Sequence, residues 1–97
     1  MRKEELKQLA IDKLVPEAFA AKKYSYYLWM CMIQQWLRDV YDFHVIIEPM
    51  SSGRYGSNIL ANHLIDESYK EEDFFNTYEE ALEDALIALL KEIKILN

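Results

Sequence analysis

Near the end of the chain, apolar residues return every three or four positions: Tyr78, Leu82, Ala85, Leu86, Leu89, Ile93 and Leu96. That spacing predicts a helix with one buried face. Its start is marked by Thr77-Tyr78-Glu79-Glu80, a Ser/Thr-x-x-Glu capping box. Ile87 and Leu90 fall off the stripe, which makes them candidates for a homodimer contact. Glu4 to Leu14 carries the same signature, with Leu6, Leu9, Ala10 and Leu14 on one side. Pro16 must end that helix, because proline lacks the amide donor and restrains Val15 from the helical region. It can open a second short helix, Pro16 to about Lys23. Ser25 then caps a helix from about Tyr26 to Asp42. There Trp29, Ile33, Trp36, Leu37 and Val40 form an apolar stripe, and Gln34, Gln35, Arg38 and Asp42 face away. The first half of this helix is apolar all round, Tyr26 to Met32, and so is expected to be covered on more than one side.

From Phe43 the pattern changes. Phe43 to Glu48 is apolar and β-branched, a strand signal that Pro49 ends. Met50 to Gly56 holds Ser51, Ser52, Gly53 and Gly56, which is turn chemistry. Ser57 to Ile65 alternates as a returning strand. A hairpin centred between Gly53 and Arg54 places Phe43, Val45 and Ile47 on one face with Leu60 and Leu64. Segment 66–76 reads either as a loop or as a short edge strand. Two strands alone are marginal in water and leave unpaired edges, so either this segment adds a third strand or two subunits join edges. The expected fold is α+β: N-terminal helices, a β-hairpin, and a C-terminal helix packed on a small antiparallel sheet.

With 97 residues, 52% of them hydrophobic, and only two Gly and two Pro, the chain is expected to be one small folded domain, 1–97. Its net charge of −6 is unevenly spread: nine acids against Lys70 from Asp66 to Asp84, but six bases against four acids from Arg2 to Lys23. The acids read either as a solvated face with Glu79 and Glu80 at a helix N-terminus, or as a face that meets a basic partner. Direct nucleic-acid binding is disfavoured, because phosphate contact needs an excess of Lys and Arg. One cysteine excludes an internal disulfide framework. The opening residues lack the apolar core of a secretory signal, and the run Tyr26 to Ile33 is too short to span a bilayer, so a cytoplasmic protein is expected.

The run Gln35-Trp36-Leu37-Arg38-Asp39-Val40-Tyr41 into Phe43-His44-Val45-Ile46-Ile47-Glu48-Pro49, followed by Thr77 to Leu86, resembles small uncharacterised proteins of Bacteroides-type gut bacteria and their phages and prophages. Those chains share a "WLR" helix, an "IHIEI"-like strand and a closing "TYEEALEAAL" helix. The resemblance covers about Ile33 to Leu90 and implies origin and fold. It carries no activity and no site residues.

Candidate chemistry is sparse. In the expected register His44 faces His63, with Glu48 on the same face, but Glu48 lies roughly 13 Å along the strand, too far to share one metal ion. Cys31, between Met30 and Met32, reads as a packed thiol, since a reactive one needs an electropositive, partly exposed setting. Gly53-Arg54-Tyr55-Gly56 has the letters of a KH-domain loop but is expected to join strands in an acidic chain. Nothing suggests the burial that would tune Glu71, Glu72, Asp73, Glu79 or Glu83 for acid–base work. The expectation is a non-enzymatic protein with no cofactor or metal that binds another protein. Its contacts would be Tyr69, Phe74 and Phe75 amid the acids of 66–84, with Arg54 and Tyr55 at the hairpin tip. Phe74 and Phe75 are equally consistent with folding back onto the core. The alternative is a structural, self-assembling homodimer.

Overall fold

A computed structural model describes residues 2–61, 64–66 and 74–93. Helix α1 spans Lys3–Asp12 and is followed by a 3₁₀ turn at Pro16–Ala20. Helix α2 runs Tyr26–Tyr41, strands β1, β2 and β3 run His44–Pro49, Tyr55–Ala61 and Leu64–Asp66, and helix α3 runs Tyr78–Glu92. The α+β architecture is as the sequence pattern predicts, and α3 packs on the sheet.

The helix ends follow from local chemistry. Leu14 sits in the left-handed region, φ 60°, just past α1. Its amide donates to Ile11 O and that of Val15 to Ala10 O, the paired bonds of a Schellman stop. Val15 is then extended before Pro16, as proline demands, and is buried. The segment after Pro16 closes as a 3₁₀ turn ending at Ala20, shorter than the expected helix to Lys23. Ser25 Oγ accepts from the Leu28 amide, as a cap should. Asp42, φ 57°, takes the left-handed position that turns α2 into β1, a position that Asp tolerates better than most residues.

The sheet is antiparallel with order β1-β2-β3. The register differs from the expected one. His44 pairs with Leu60, not His63, a displacement of three residues. An odd displacement exchanges the two faces of the returning strand. Ile59 rather than Leu60 therefore lies across from Val45, and Ile59 packs on the core with Phe43 and Ile47. The reason lies in the turn: Gly53 donates to Met50 O with φ 83°, and Met50 donates to Arg54 O. Gly53 thus supplies the positive φ on the return arm instead of marking the centre. The expected continuous strand Ser57 to Ile65 is two strands, with Ala61 paired to Leu64. The third strand is 64–66, which takes in the first residue of the segment 66–76, and it gives β2 a partner on both edges, while residues 67–73 lie outside the described residues. Phe75 adds an antiparallel bridge to Tyr55.

Helix α3 is the centre of the molecule and touches α1, α2, β1 and β2. Ala81, Leu82, Ala85, Leu86, Ile87, Leu89 and Leu90 are all buried. Ile87 and Leu90 are thus not dimer contacts: the chain's own core covers them. Their position off the main stripe reflects a helix covered on more than one side. The same expectation for α2 fails in part. Trp29, Met30, Ile33 and Leu37 are buried, but Tyr27, Leu28 and Val40 are exposed and Trp36 is only half-buried. Tyr78, placed on the α3 stripe by its spacing, is exposed, and Leu96 lies outside the described residues.

Candidate functional site

Three tyrosines from three elements meet at the surface where α3 begins. Thr77 Oγ1 accepts from the Glu80 amide at 3.1 Å and starts the helix, which places Tyr78 in its first turn. Tyr78 touches Tyr27 of α2 at 6.1 Å between ring centroids and Tyr55 of β2 at 6.2 Å, both edge-on. Such geometry is the favoured one for aromatic rings. Tyr27 is 41% exposed and Tyr78 38%. The Tyr27 hydroxyl is held protonated above its ordinary range, chiefly by a hydrogen bond with Cys31. Glu79 is exposed beside Tyr78, and Asn76 and Thr77 extend the polar rim.

The residues singled out from sequence fall partly within this ridge. Tyr55 is in it, and its backbone exchanges two hydrogen bonds with Phe75, at 2.7 and 2.8 Å. Arg54 donates to Phe74 O, so Arg54 and Tyr55 are half-buried supports for segment 74–75 instead of a free hairpin tip. The tip itself is exposed Ser51, Ser52 and Gly53. Phe74 and Phe75 are half-buried, between the two expectations. Tyr69, Lys70 and the acids 71–73 lie outside the described residues, as does His63. His44 contacts Asp42, 2.7 Å from its Nε2, within its own element boundary.

Two acids of the 66–84 stretch have partners within the chain, one of them buried and one at the surface. Glu83 is 2% exposed. It accepts from the Arg2 amide at 2.5 Å and from the Tyr26 hydroxyl. Burial and this hydrogen bond keep the Tyr26 hydroxyl protonated far beyond its ordinary range. Asp84 pairs with the Arg2 guanidinium at 2.8 Å. Arg2 also holds Glu5, which pairs in turn with Lys91 of α3 at 3.1 Å. These bonds clamp α1 alongside α3 and leave a small cavity, about 180 Å³, lined by Arg2, Phe75, Glu80, Glu83 and Asp84. Arg2 of the basic N-terminal stretch and Glu83 and Asp84 of the acidic one are therefore partners within one chain.

A second concavity, about 350 Å³, lies on the outer side of α2 and is lined by Glu17, Met32, Gln35, Trp36, Asp39 and Val40. Sequence periodicity hid it by assigning Trp36 and Val40 to the core stripe. Among the described residues no group of three His, Cys, Asp or Glu side chains is placed to hold a metal ion, and no helix is long and apolar enough to cross a membrane. The chain matches no family model, and neither the curated proteins nor the solved structures include a significant match.

Proposed function

We propose that the chain binds another protein through the ridge of Tyr27, Tyr55 and Tyr78, with Glu79 and its neighbours as an acidic rim. One observation carries this reading: three tyrosines from separate elements are brought into ring contact at the surface, two of them well exposed. Tyrosine offers large contact area with few rotatable bonds and a polar tip. A cluster of aromatic anchors with a charged rim is the usual composition of an energetic hot spot. The expected partner presents basic residues around an apolar patch. This recentres the face expected from sequence: Tyr55 is retained, Phe74 and Phe75 act as its backing, and Tyr78 becomes the centre. The role is binding without catalysis, in a phage or prophage setting if the resemblance of the helix-to-strand junction reflects origin.

The test is capture of tagged protein from host lysate, at two salt concentrations, with wild type and with a Tyr27→Ser/Tyr78→Ser double variant. Both side chains are partly in solvent, so the variant should keep its helical circular dichroism. A partner retained by wild type, weakened by salt and lost by the variant supports the ridge. Identical capture by both proteins would refute it.

Self-assembly remains the second reading, favoured by Phe19 at 80% exposure and Leu14 at 72%. Single large apolar groups in solvent are common, but these lie close together in sequence. Light scattering of Phe19→Ser against wild type decides it: a mass that falls from dimer to monomer would establish a self-contact there, whereas a monomeric wild type removes it.

A further inference from the structure

The groove on the outer side of α2 combines an apolar wall with two carboxylates, and it is separate from the tyrosine ridge. Met32, Trp36 and Val40 follow at four-residue spacing and so share a side of the helix. Val40 is 57% exposed. The Trp36 indole is held by an edge contact with Tyr41, 5.3 Å between centroids, and Tyr41 stacks on Phe43. Two carboxylates line the same groove, Glu17 from the 3₁₀ turn and Asp39 from α2. Gln35 orients Asp39 by donating to its Oδ1 at 2.8 Å. Glu17 Oε2 is shielded from solvent and, among the described residues, has no hydrogen-bonding partner. No cationic side chain is among the groove's lining residues. A shielded carboxylate oxygen beside an apolar wall generates a field that favours a cation and disfavours an anion.

We infer that this groove receives an arginine side chain of a partner protein. Its guanidinium would lie against the Trp36 indole and donate to Asp39, with the shielded Glu17 carboxylate adding attraction from the groove wall. Arginine fits better than lysine because its planar group stacks on aromatic rings, forks onto carboxylates and sheds water more readily. A second copy of this chain is a poor occupant, since each copy carries a net charge of −6. Of the three arginines, Arg2 is paired with Glu5 and Asp84 and Arg54 donates to Phe74 O, leaving Arg38 as the one a second copy could offer.

The test is nuclear magnetic resonance on the full ¹⁵N-labelled chain. The probe is an alanine-based helical peptide of about 15 residues with two arginines four positions apart, compared with its glutamine counterpart. The arginine peptide should produce a saturable shift of the Trp36 indole N–H and the Val40 amide, and the glutamine peptide should not. A Glu17→Gln/Asp39→Asn double variant should bind about tenfold more weakly, with the Trp29 indole signal unmoved as a check on the core. Equal response to both peptides, a response centred on Tyr27, Tyr55 and Tyr78, or equal binding by the double variant would each overturn the assignment. So would groove shifts that depend on protein concentration alone and vanish in Arg38→Gln, which would assign the groove to a second copy. If the double variant loses its Trp29 signal, the two peptides on wild type still decide.

Discussion

Glu83 is the charged residue that the fold depends on most directly. It sits on a helix face buried against α1 and α2, and its two oxygens are used by the Arg2 amide and the Tyr26 hydroxyl. Glu83→Ala should lower unfolding stability by about 1–3 kcal/mol, since it leaves two part-buried donors without an acceptor. Urea denaturation measures this, and a change below about 0.5 kcal/mol would show that water replaces the carboxylate. Glu5 behaves differently because it is exposed. Hydrogen bonds from Arg2 and then Lys91 lower its pKa from 4.5 to about 2. A depressed carboxylate stabilises the fold above its unfolded value, and that contribution is lost as pH falls from 4.5 towards 2. At low ionic strength, wild type should therefore lose more stability than Glu5→Gln between about pH 5.5 and pH 2.5. Equal losses would mean that solvent screening has already erased the pair. The charge asymmetry behind these bonds is plain in the sequence. That Arg2 meets Glu83 and Asp84 within the chain is not, because these residues are neighbours only after α1 has docked on α3.

At the scale of elements, backbone conformation makes predictions that side-chain chemistry alone would reverse. Leu14 is a large apolar residue, yet it is 72% exposed and occupies a left-handed position. Leu14→Gly removes almost no burial and relieves a conformation that costs an L-residue roughly 1–2 kcal/mol. It should therefore raise stability by about 1 kcal/mol after glycine's own entropy is counted. A lower melting temperature would place the leucine side chain in an interaction that its exposure does not show. Register is tested as directly. Ile46 pairs with Asn58, so Ile46→Cys/Asn58→Cys, in a Cys31→Ala background, should oxidise readily to a disulfide. The pair Ile46→Cys/Ala61→Cys, which the turn-centred register predicts, should not. The helix limits were legible because caps and prolines act within one turn. The strand register was not, since it depends on which turn residue adopts the positive φ, and Gly53 and Gly56 were equally able to do so.

For the whole molecule, the decisive feature is that α3 lies among four other elements instead of on a surface. Leu90 is fully buried there. Leu90→Ala should cost about 2–5 kcal/mol. That is a large part of the roughly 5–15 kcal/mol available to a domain of this size. The loss should appear as unfolding at lower urea with no change in mass by light scattering. A folded variant of altered mass would restore a subunit contact. Ile87 and Leu90, whose off-stripe positions suggested a partner subunit, are covered by the packing of this central helix. Among the described residues, what remains outside includes the tyrosine ridge, the α2 groove and the exposed Leu14, Phe19, Leu28 and Ile46.

The sequence by itself determined the order of the three α-helices and the hairpin, the capped starts of α2 and α3, the stop before Pro16 and the α+β class. Those features are written in spacings of a few residues, where cap, proline and periodicity act. Tertiary structure alone decided which faces are core. Hydrophobic spacing says that a face wants cover but not what supplies it, so Ile87 and Leu90 went inside while Trp36, Val40 and Tyr78 came towards the surface. Both candidate contact sites centre on residues that periodicity had assigned to the interior, Tyr78 in one and Trp36 with Val40 in the other, although Tyr55 and Gln35 were already expected at the surface. They became visible only when three elements converged on Tyr78 and when the 3₁₀ turn brought Glu17 beside α2.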